Sequence, residues 1–400
     1  MRAATRLLTA GLVLLAAACS TGAPAPSGQP LPAPTVTTTP PPSPAPSPTP
    51  TPPPTPAFTD RQLAGQRVIY SYSGDTPPAS LLDDIRAGQA AGVIFFGPNT
   101  ADPERFAAAV AQLRAAQQES PVRLPLLLMT DQEGGLVRRL PGAPALSARQ
   151  TGEAEDPVAA AREAGTEAGQ NLAAHGLNVN LAPVLDVYDR PGNFIDRPER
   201  SYGRDPAQVA ALGGAFVTAQ QATGVAATAK HFPGLGTAPA GRNTDTGEVT
   251  LDASAARLAT VDEAPYPAAI AAGVKLVMVS WAVYPALDPD RPAGLSPRIV
   301  RDELRHHLGF QGVTITDALE AGALSPTSRP TPSPDPTETA THAVSAALAG
   351  MDLLLCSAQT PAQAETATTA LTTALTTGHL DRPDFLAAVA RVNALRSTLN

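Results

Sequence analysis

From residue 58 onward one pattern repeats: a short, unbroken apolar run, then a longer Ala-rich stretch with helical spacing. Eight runs read as strands, at 68–72, 93–96, 126–130, 178–181, 226–229, 276–280, 313–316 and 352–355. Helical stretches follow at 80–90, 103–118, 157–174, 206–223, 261–272, 297–308, 338–349 and 361–377, and another at 382–397 closes the chain. A strand with one wet face alternates polar and apolar residues. These runs do not alternate, so both faces must be covered, as in a parallel sheet flanked by helices. Eight such units predict an α/β fold, a (β/α)8 TIM-type barrel forming a single domain over residues 58–400. A doubly wound open sheet has the same periodicity and is the alternative.

The residues before 58 have a different character. Arg2 and Arg6 precede an apolar stretch at 7–18 that ends in small residues at Cys19. That stretch is too short to span a bilayer and has the flanks of an export signal, so residues 1–19 are expected to be a signal peptide. A cysteine directly after Ala16-Ala17-Ala18 resembles a bacterial lipoprotein processing site, although a larger aliphatic residue is usual where Ala16 stands. Lipidation of Cys19 and anchoring at the outer face of the cytoplasmic membrane are expected, with secretion to the cell wall as the alternative. Residues 20–57 are dominated by Pro, Ser, Thr and Ala and form an extended linker. At about 3.1 Å per residue such a tether reaches on the order of 100 Å.

Charge and cysteine content narrow the partners. The net charge is −8, which disfavours nucleic acid and leaves no basic patch for anionic lipid heads, so membrane contact is expected through the N-terminal lipid only. Apart from Cys19 the chain has only Cys356, inside an apolar run, so no internal disulfide forms and core burial must carry the stability. Of the six histidines only His306 and His307 are close in sequence, and adjacent helical residues point apart. No metal or cofactor is expected, and a monomer is.

A barrel places its reactive groups just after the strand ends. Asp131-Gln132-Glu133-Gly134-Gly135 follows the third run, Lys230-His231-Phe232-Pro233-Gly234 the fifth, and Asp317 the seventh. The segment after the fourth carries Asp186, Asp189, Asp196, Arg197 and Arg200. Loops are polar by default, so each residue alone is weak evidence. Charged groups recurring at four strand ends indicate a pocket for a polar, neutral ligand such as a sugar.

Three of these segments look like the signature regions of glycoside hydrolase family 3: Thr130 to Gly135, Ala229 to Gly234, and Leu308 to Asp317. More narrowly they resemble its single-domain bacterial β-N-acetylglucosaminidases, which remove terminal GlcNAc from peptidoglycan fragments. Leu295-Ser296-Pro297 and Gly350-Met351-Asp352-Leu353 are also similar. The resemblance implies that Asp317 is the nucleophile of a retaining, exo-acting hydrolase acting on a GlcNAc-terminated carbohydrate or muropeptide. It implies that Asp131, Arg139, Arg200, Lys230 and His231 hold the terminal sugar. A loop or capping aspartate is the alternative for Asp131 and Asp317, and a satisfied structural histidine for His231. Glu133 is expected to brace its loop. The two-domain β-glucosidases of the family add a domain for which this chain has no room.

The chain departs from that pattern in two places. The single-domain enzymes carry their general acid/base as the histidine of an Asp-Ser-His sequence after the fifth strand. Here Asn243-Thr244-Asp245 lies over it, and Leu235 occupies another position where histidine is common. Asp245 is the candidate acid/base, since a carboxylic acid is the ordinary proton donor in glycosidases. Another residue on a mobile loop is the second possibility, and a non-catalytic glycan-binding lipoprotein the third. Gly, Ala and Thr over 236–247 favour a mobile loop. The other departure is a Pro-, Ser- and Thr-rich insertion at 325–339, expected to be a surface loop.

Overall fold

The computed structural model describes residues 58–189, 191–325 and 335–399. The expected signal peptide, Cys19 and the linker therefore lie outside the described residues, as do positions 326–334 of the insertion. Eight parallel strands close into a barrel in strict chain order. They are β1 (Val68–Tyr70), β2 (Gly92–Ile94), β3 (Leu127–Thr130), β4 (Val179–Asn180), β5 (Ala226–Phe232), β6 (Leu276–Val279), β7 (Val313–Ala318) and β8 (Leu353–Leu355). Closure is made by β1 against β8, with Val68 opposite Leu354 and Ile69 opposite Leu355. Every strand corresponds to one of the expected runs, and the closed sheet excludes the doubly wound alternative.

Each strand faces two cores. Ile69, Leu127, Met129, Val179, Leu276, Met278, Val313, Ile315 and Leu353 fill the barrel interior. Their neighbours Val68, Leu128, Val277 and Leu354 pack outward against the helices. That division is why the runs read as continuously apolar.

The helices start where their sequence tells them to. Asp102, Asp156, Asp205 and Asp335 each precede a proline and each cap a helix: Pro103–Glu119, Pro157–Ala174, Pro206–Gln221 and Pro336–Ala349. The carboxylate satisfies free N–H groups of the first turn, and proline at the first helical position costs no hydrogen bond. The helix expected at 338–349 thus begins two residues earlier, which shortens the insertion. Its far end is Gly350, whose φ of 105° lies in the left-handed region that favours glycine. The stretch expected as one helix at 261–272 is divided, with Leu258–Asp262 wound as a π-helix and Tyr266–Ala271 as an α-helix. Pro265 lies between them and ends the first segment, because it has no N–H to continue the ladder.

Candidate active site

A cleft of about 440 Å³ opens at the C-terminal ends of the strands and is lined by Asp131, Arg139, Arg200, Lys230, His231, Asp245 and Asp317. All seven residues expected at the site therefore share one cleft. Phe96, Phe194, Leu181 and Met278 add apolar wall, and Glu320, Ser357 and Gln359 add polar rim.

The loop after β3 is shaped by Gln132, a buried side chain that satisfies four backbone groups. Its carbonyl oxygen accepts from the N–H groups of Arg139 and Leu140, both at 3.1 Å. Its amide donates to the carbonyls of Leu140 and Ala143 at 3.2 and 2.8 Å. The segments Gln132–Gly134 and Val137–Arg138 pair as a small antiparallel hairpin. Asp131, Glu133 and Arg139 are presented from its two arms.

Lys230, at the end of β5, is 2 % exposed and places its Nζ 2.7 Å from both Asp131 Oδ1 and Glu133 Oε1. Arg200 donates to the same Glu133 carboxylate through Nε at 2.9 Å and Nη2 at 2.8 Å. Burial alone would raise the pKa of Glu133, but Arg200 and Lys230 outweigh it and hold the carboxyl well below its ordinary range. Burial disfavours the Lys230 ammonium too, yet Asp131 and Glu133 shift its pKa upward. Glu133 is the buried hub of this four-membered cluster. Glu133 is not among the residues lining the cleft, in keeping with the expected bracing role.

The charged residues of the segment after β4 divide in a way that sequence order did not reveal. Only Arg200 reaches the cleft. Asp186 is fully buried behind it, with Oδ2 2.7 Å from His231 Nδ1 and Oδ1 accepting the Leu235 N–H at 2.7 Å. A carboxylate at Nδ1 draws the ring proton to that nitrogen and leaves Nε2 as the face turned to the cleft. There Nε2 lies 3.4 Å from Arg200 Nη2. Asp196 pairs with Arg149, Asp189 with Arg257 at 3.7 Å, and Arg197 is exposed. These three hold or border the loop.

Asp317 sits near the end of β7, and the Ala318 N–H donates to its Oδ1 at 2.8 Å. Trp281, the single tryptophan of the chain and fully buried, donates its indole N–H to the Ala318 carbonyl at 2.8 Å. Burial raises the pKa of Asp317; the neighbouring Asp245 charge reinforces that and the His231 side chain opposes it.

Asp245 is exposed at the cleft, on a loop pinned to the segment that follows Asp317. The Gly322 N–H donates to the Asp245 carbonyl and the Ala323 N–H to the Thr244 carbonyl, both at 2.9 Å. Asn243 closes the turn: its Oδ1 accepts the Asp245 N–H at 3.0 Å, and its Nδ2 donates to Asp245 Oδ2 at 3.1 Å. Farther along, the Leu251 N–H donates to the Val283 carbonyl at 2.9 Å, and at the start of the loop the Asp189 N–H donates to the Gly236 carbonyl at 3.0 Å. A loop whose composition favoured mobility is thus fastened at both ends.

Glu320 and Trp281 carried no legible signal, and Asp186 was legible only as one of several charged residues after the fourth strand. Glu320 bonds Ser357 Oγ at 2.5 Å and Gln363 Nε2 at 3.1 Å, tying the β7 loop to the β8 loop. Asp186 and Trp281 act from behind the cleft wall, where only the fold shows whom they touch.

Residues 66–395 match the model of the glycosyl hydrolase family 3 N-terminal domain. The chain belongs to glycosyl hydrolase family 3. It is therefore a glycoside hydrolase of the family's barrel type. An uncharacterized secreted glycosyl hydrolase of Arthroderma benhamiae is 44 % identical over 339 residues, covering 84 % of this chain and 93 % of that protein. A beta-hexosaminidase of Stenotrophomonas maltophilia is 34 % identical over 264 residues, or 64 % of this chain and 75 % of that protein. Among solved structures, a beta-N-acetylhexosaminidase from Beutenbergia cavernae superposes with a TM-score of 0.72 at 35 % identity. That similarity covers 86 % of this chain and 99 % of the other.

Proposed function

We propose that this family 3 hydrolase is an exo-acting, retaining β-N-acetylglucosaminidase that removes terminal GlcNAc from peptidoglycan-derived or related β-glycosides. The observation that carries the reading is the position of Asp317: a half-buried carboxylate beside the last residue of β7, with no cationic partner among the described residues, at a cleft where Asp131, Lys230 and Arg200 are already held in ion pairs. Asp131 and Lys230, held against each other at 2.7 Å, present an acceptor and a donor to the ring hydroxyls, and Arg139, Arg200 and His231 complete the cradle. The similarity to bacterial proteins named beta-hexosaminidase and beta-N-acetylhexosaminidase supports the N-acetylhexosamine specificity.

In the first step an Asp317 oxygen forms a bond to the anomeric carbon as the bond to the leaving oxygen breaks. Asp245 gives its proton to that oxygen. In the second step a water adds to the anomeric carbon, Asp245 takes up its proton, and the bond to Asp317 breaks, so the configuration is retained. A carboxyl group in this place supplies what an imidazole supplies elsewhere in the family, and the pinned loop keeps it across from the nucleophile. Export with a lipid on Cys19, rather than plain secretion, would put the site where muropeptides are exposed. The similarity to a secreted hydrolase supports export.

The test is hydrolysis of chromogenic β-GlcNAc and β-glucose substrates by the purified protein, beside Asp317→Asn. Release of GlcNAc that disappears in the variant supports the reading. Preferential release of glucose would make the protein a β-glucosidase. Binding of GlcNAc with no turnover of any β-glycoside would make it a glycan-binding protein instead.

A further inference from the structure

The N-terminal face of the barrel, opposite the cleft, carries a pocket of its own. It measures about 210 Å³ and opens among the helices Arg298–His307, Pro336–Ala349 and Arg382–Arg396. Arg67, Arg301, Arg305 and Arg391 line it, together with His306.

The obvious counter-charge is already saturated. Asp352, fully buried just before β8, accepts Nε and Nη2 of Arg391 on Oδ1, at 3.0 and 2.8 Å. Its Oδ2 accepts Arg305 Nη2 at 2.5 Å and the Thr314 N–H at 2.9 Å. Asp384 pairs with Arg301 at 2.8 Å, and Asp381 caps the last helix by accepting the Asp384 N–H at 2.9 Å. Three carboxylates thus meet four guanidinium groups among the residues lining the pocket and Asp352 beneath it.

Arg305 also donates to the Phe310 and Gly312 carbonyls and Arg301 to the Leu348 carbonyl, but Arg67 is the one of the four whose hydrogen bonds go only to carbonyls. It donates to Met351 O at 2.5 Å and Asp352 O at 3.1 Å, and lies over the Phe385 ring at 4.3 Å. Burial, with repulsion from Arg391 and Arg301, brings it down to about 10 in spite of Asp352. Arg305 is also depressed by burial, Asp352 opposes this, and Arg391 and Arg301 add to it. Its Nε is buried and has no hydrogen-bond partner among the described residues. An ion-pair hub serving stability alone has no need of guanidinium groups that repel one another around open space. The face of a barrel away from its active site ordinarily serves stability, and the Asp352 hub does so. The unmatched positive charge beside a cavity is what remains to be explained.

We propose that this pocket binds a small oxyanion, a phosphate or carboxylate group, held by the guanidinium groups of Arg67, Arg301, Arg305 and Arg391. Planar guanidinium forks suit such groups because they donate paired, charge-assisted hydrogen bonds to two oxygens. The site is separate from the catalytic cleft, so occupancy is expected to stabilise the fold without being needed for turnover.

The test titrates the protein with sodium phosphate and, in a second arm, with sodium acetate, against sodium chloride at matched ionic strength. Calorimetry and the unfolding temperature are both read. The expected result is a saturable rise in Tm beyond that with chloride in at least one arm, phosphate identifying a tetrahedral and acetate a planar ligand. Arg301→Gln, at a half-exposed position, should weaken that binding by about tenfold while leaving β-glycoside hydrolysis unchanged. The proposal is overturned if neither anion gives a saturable effect, or if Arg301→Gln binds as tightly as the unaltered protein.

Discussion

Glu133→Gln is the substitution that probes how the cleft is held in shape. Glutamine keeps the volume of glutamate but removes the charge that Arg200 grips at 2.8 and 2.9 Å and Lys230 at 2.7 Å. Lys230 would retain only Asp131, and Arg200 would lose its bidentate partner. Removing one member of a buried ion pair costs about 3–5 kcal/mol, because a charge is left without compensation. In a domain of this size each kcal/mol moves Tm by roughly 2 °C, so a fall of roughly 6–10 °C is expected. The pH dependence has a definite sign. The folded-state pKa of Glu133 lies far below 4.5, so its contribution is full above that value and is lost as pH falls below it. The gap between the two proteins should therefore be widest near neutrality and close in acid. Urea unfolding at pH 7 and pH 4, with kcat/KM measured at pH 7, reads both effects. Activity should fall by about tenfold or more, since Lys230 and Arg200 lose their fixed positions. A Glu133→Gln protein within about 1 kcal/mol of the original at pH 7 would refute the hub.

Other expectations follow from single contacts. Asp245→Asn should cost about 10²–10⁴-fold on a substrate with a poor leaving group and much less on a nitrophenyl glycoside. Gly236→Ala would set a Cβ 1.8 Å from the Val187 carbonyl oxygen, a backbone clash that should cost about 1–3 kcal/mol in urea unfolding. Glu263 is 3 % exposed; burial and the Glu303 charge push its carboxyl up to about 8. The folded protein then keeps a proton that the unfolded chain releases, so stability should decline as pH rises from about 4.5 to 8. Glu263→Gln should flatten that decline in scanning calorimetry, and parallel curves would argue against it.

What was legible in the sequence was set by short-range rules. Eight apolar runs of strand length, separated by Ala-rich helical stretches, admit few arrangements, and each run became a barrel strand. Asp131, Lys230, His231 and Asp317 were visible because a barrel presents the residue after a strand to one shared mouth. The division of labour in the segment after β4 was not visible: Asp186, Asp189 and Asp196 look alike in sequence, yet only the fold decides that one faces His231 and two face arginines. Trp281 was equally silent, since its link to the Ala318 carbonyl, next to Asp317, spans 37 residues. The loop at 236–247 carries contacts that its composition does not announce. Its small residues suggested freedom, but its backbone bonds to Gly322 and Ala323 depend on a segment far along the chain.

The central claim is that Asp317 becomes covalently bonded to the sugar, and trapping that intermediate tests it directly. A slow fluorinated N-acetylglucosaminide with an activated leaving group would be incubated with the protein, which is then digested and its peptides mapped by mass spectrometry. The account predicts one glycosylated peptide, modified at Asp317, and none after Asp317→Asn. A sugar attached at any other residue, or steady turnover of GlcNAc by Asp317→Asn, would contradict it.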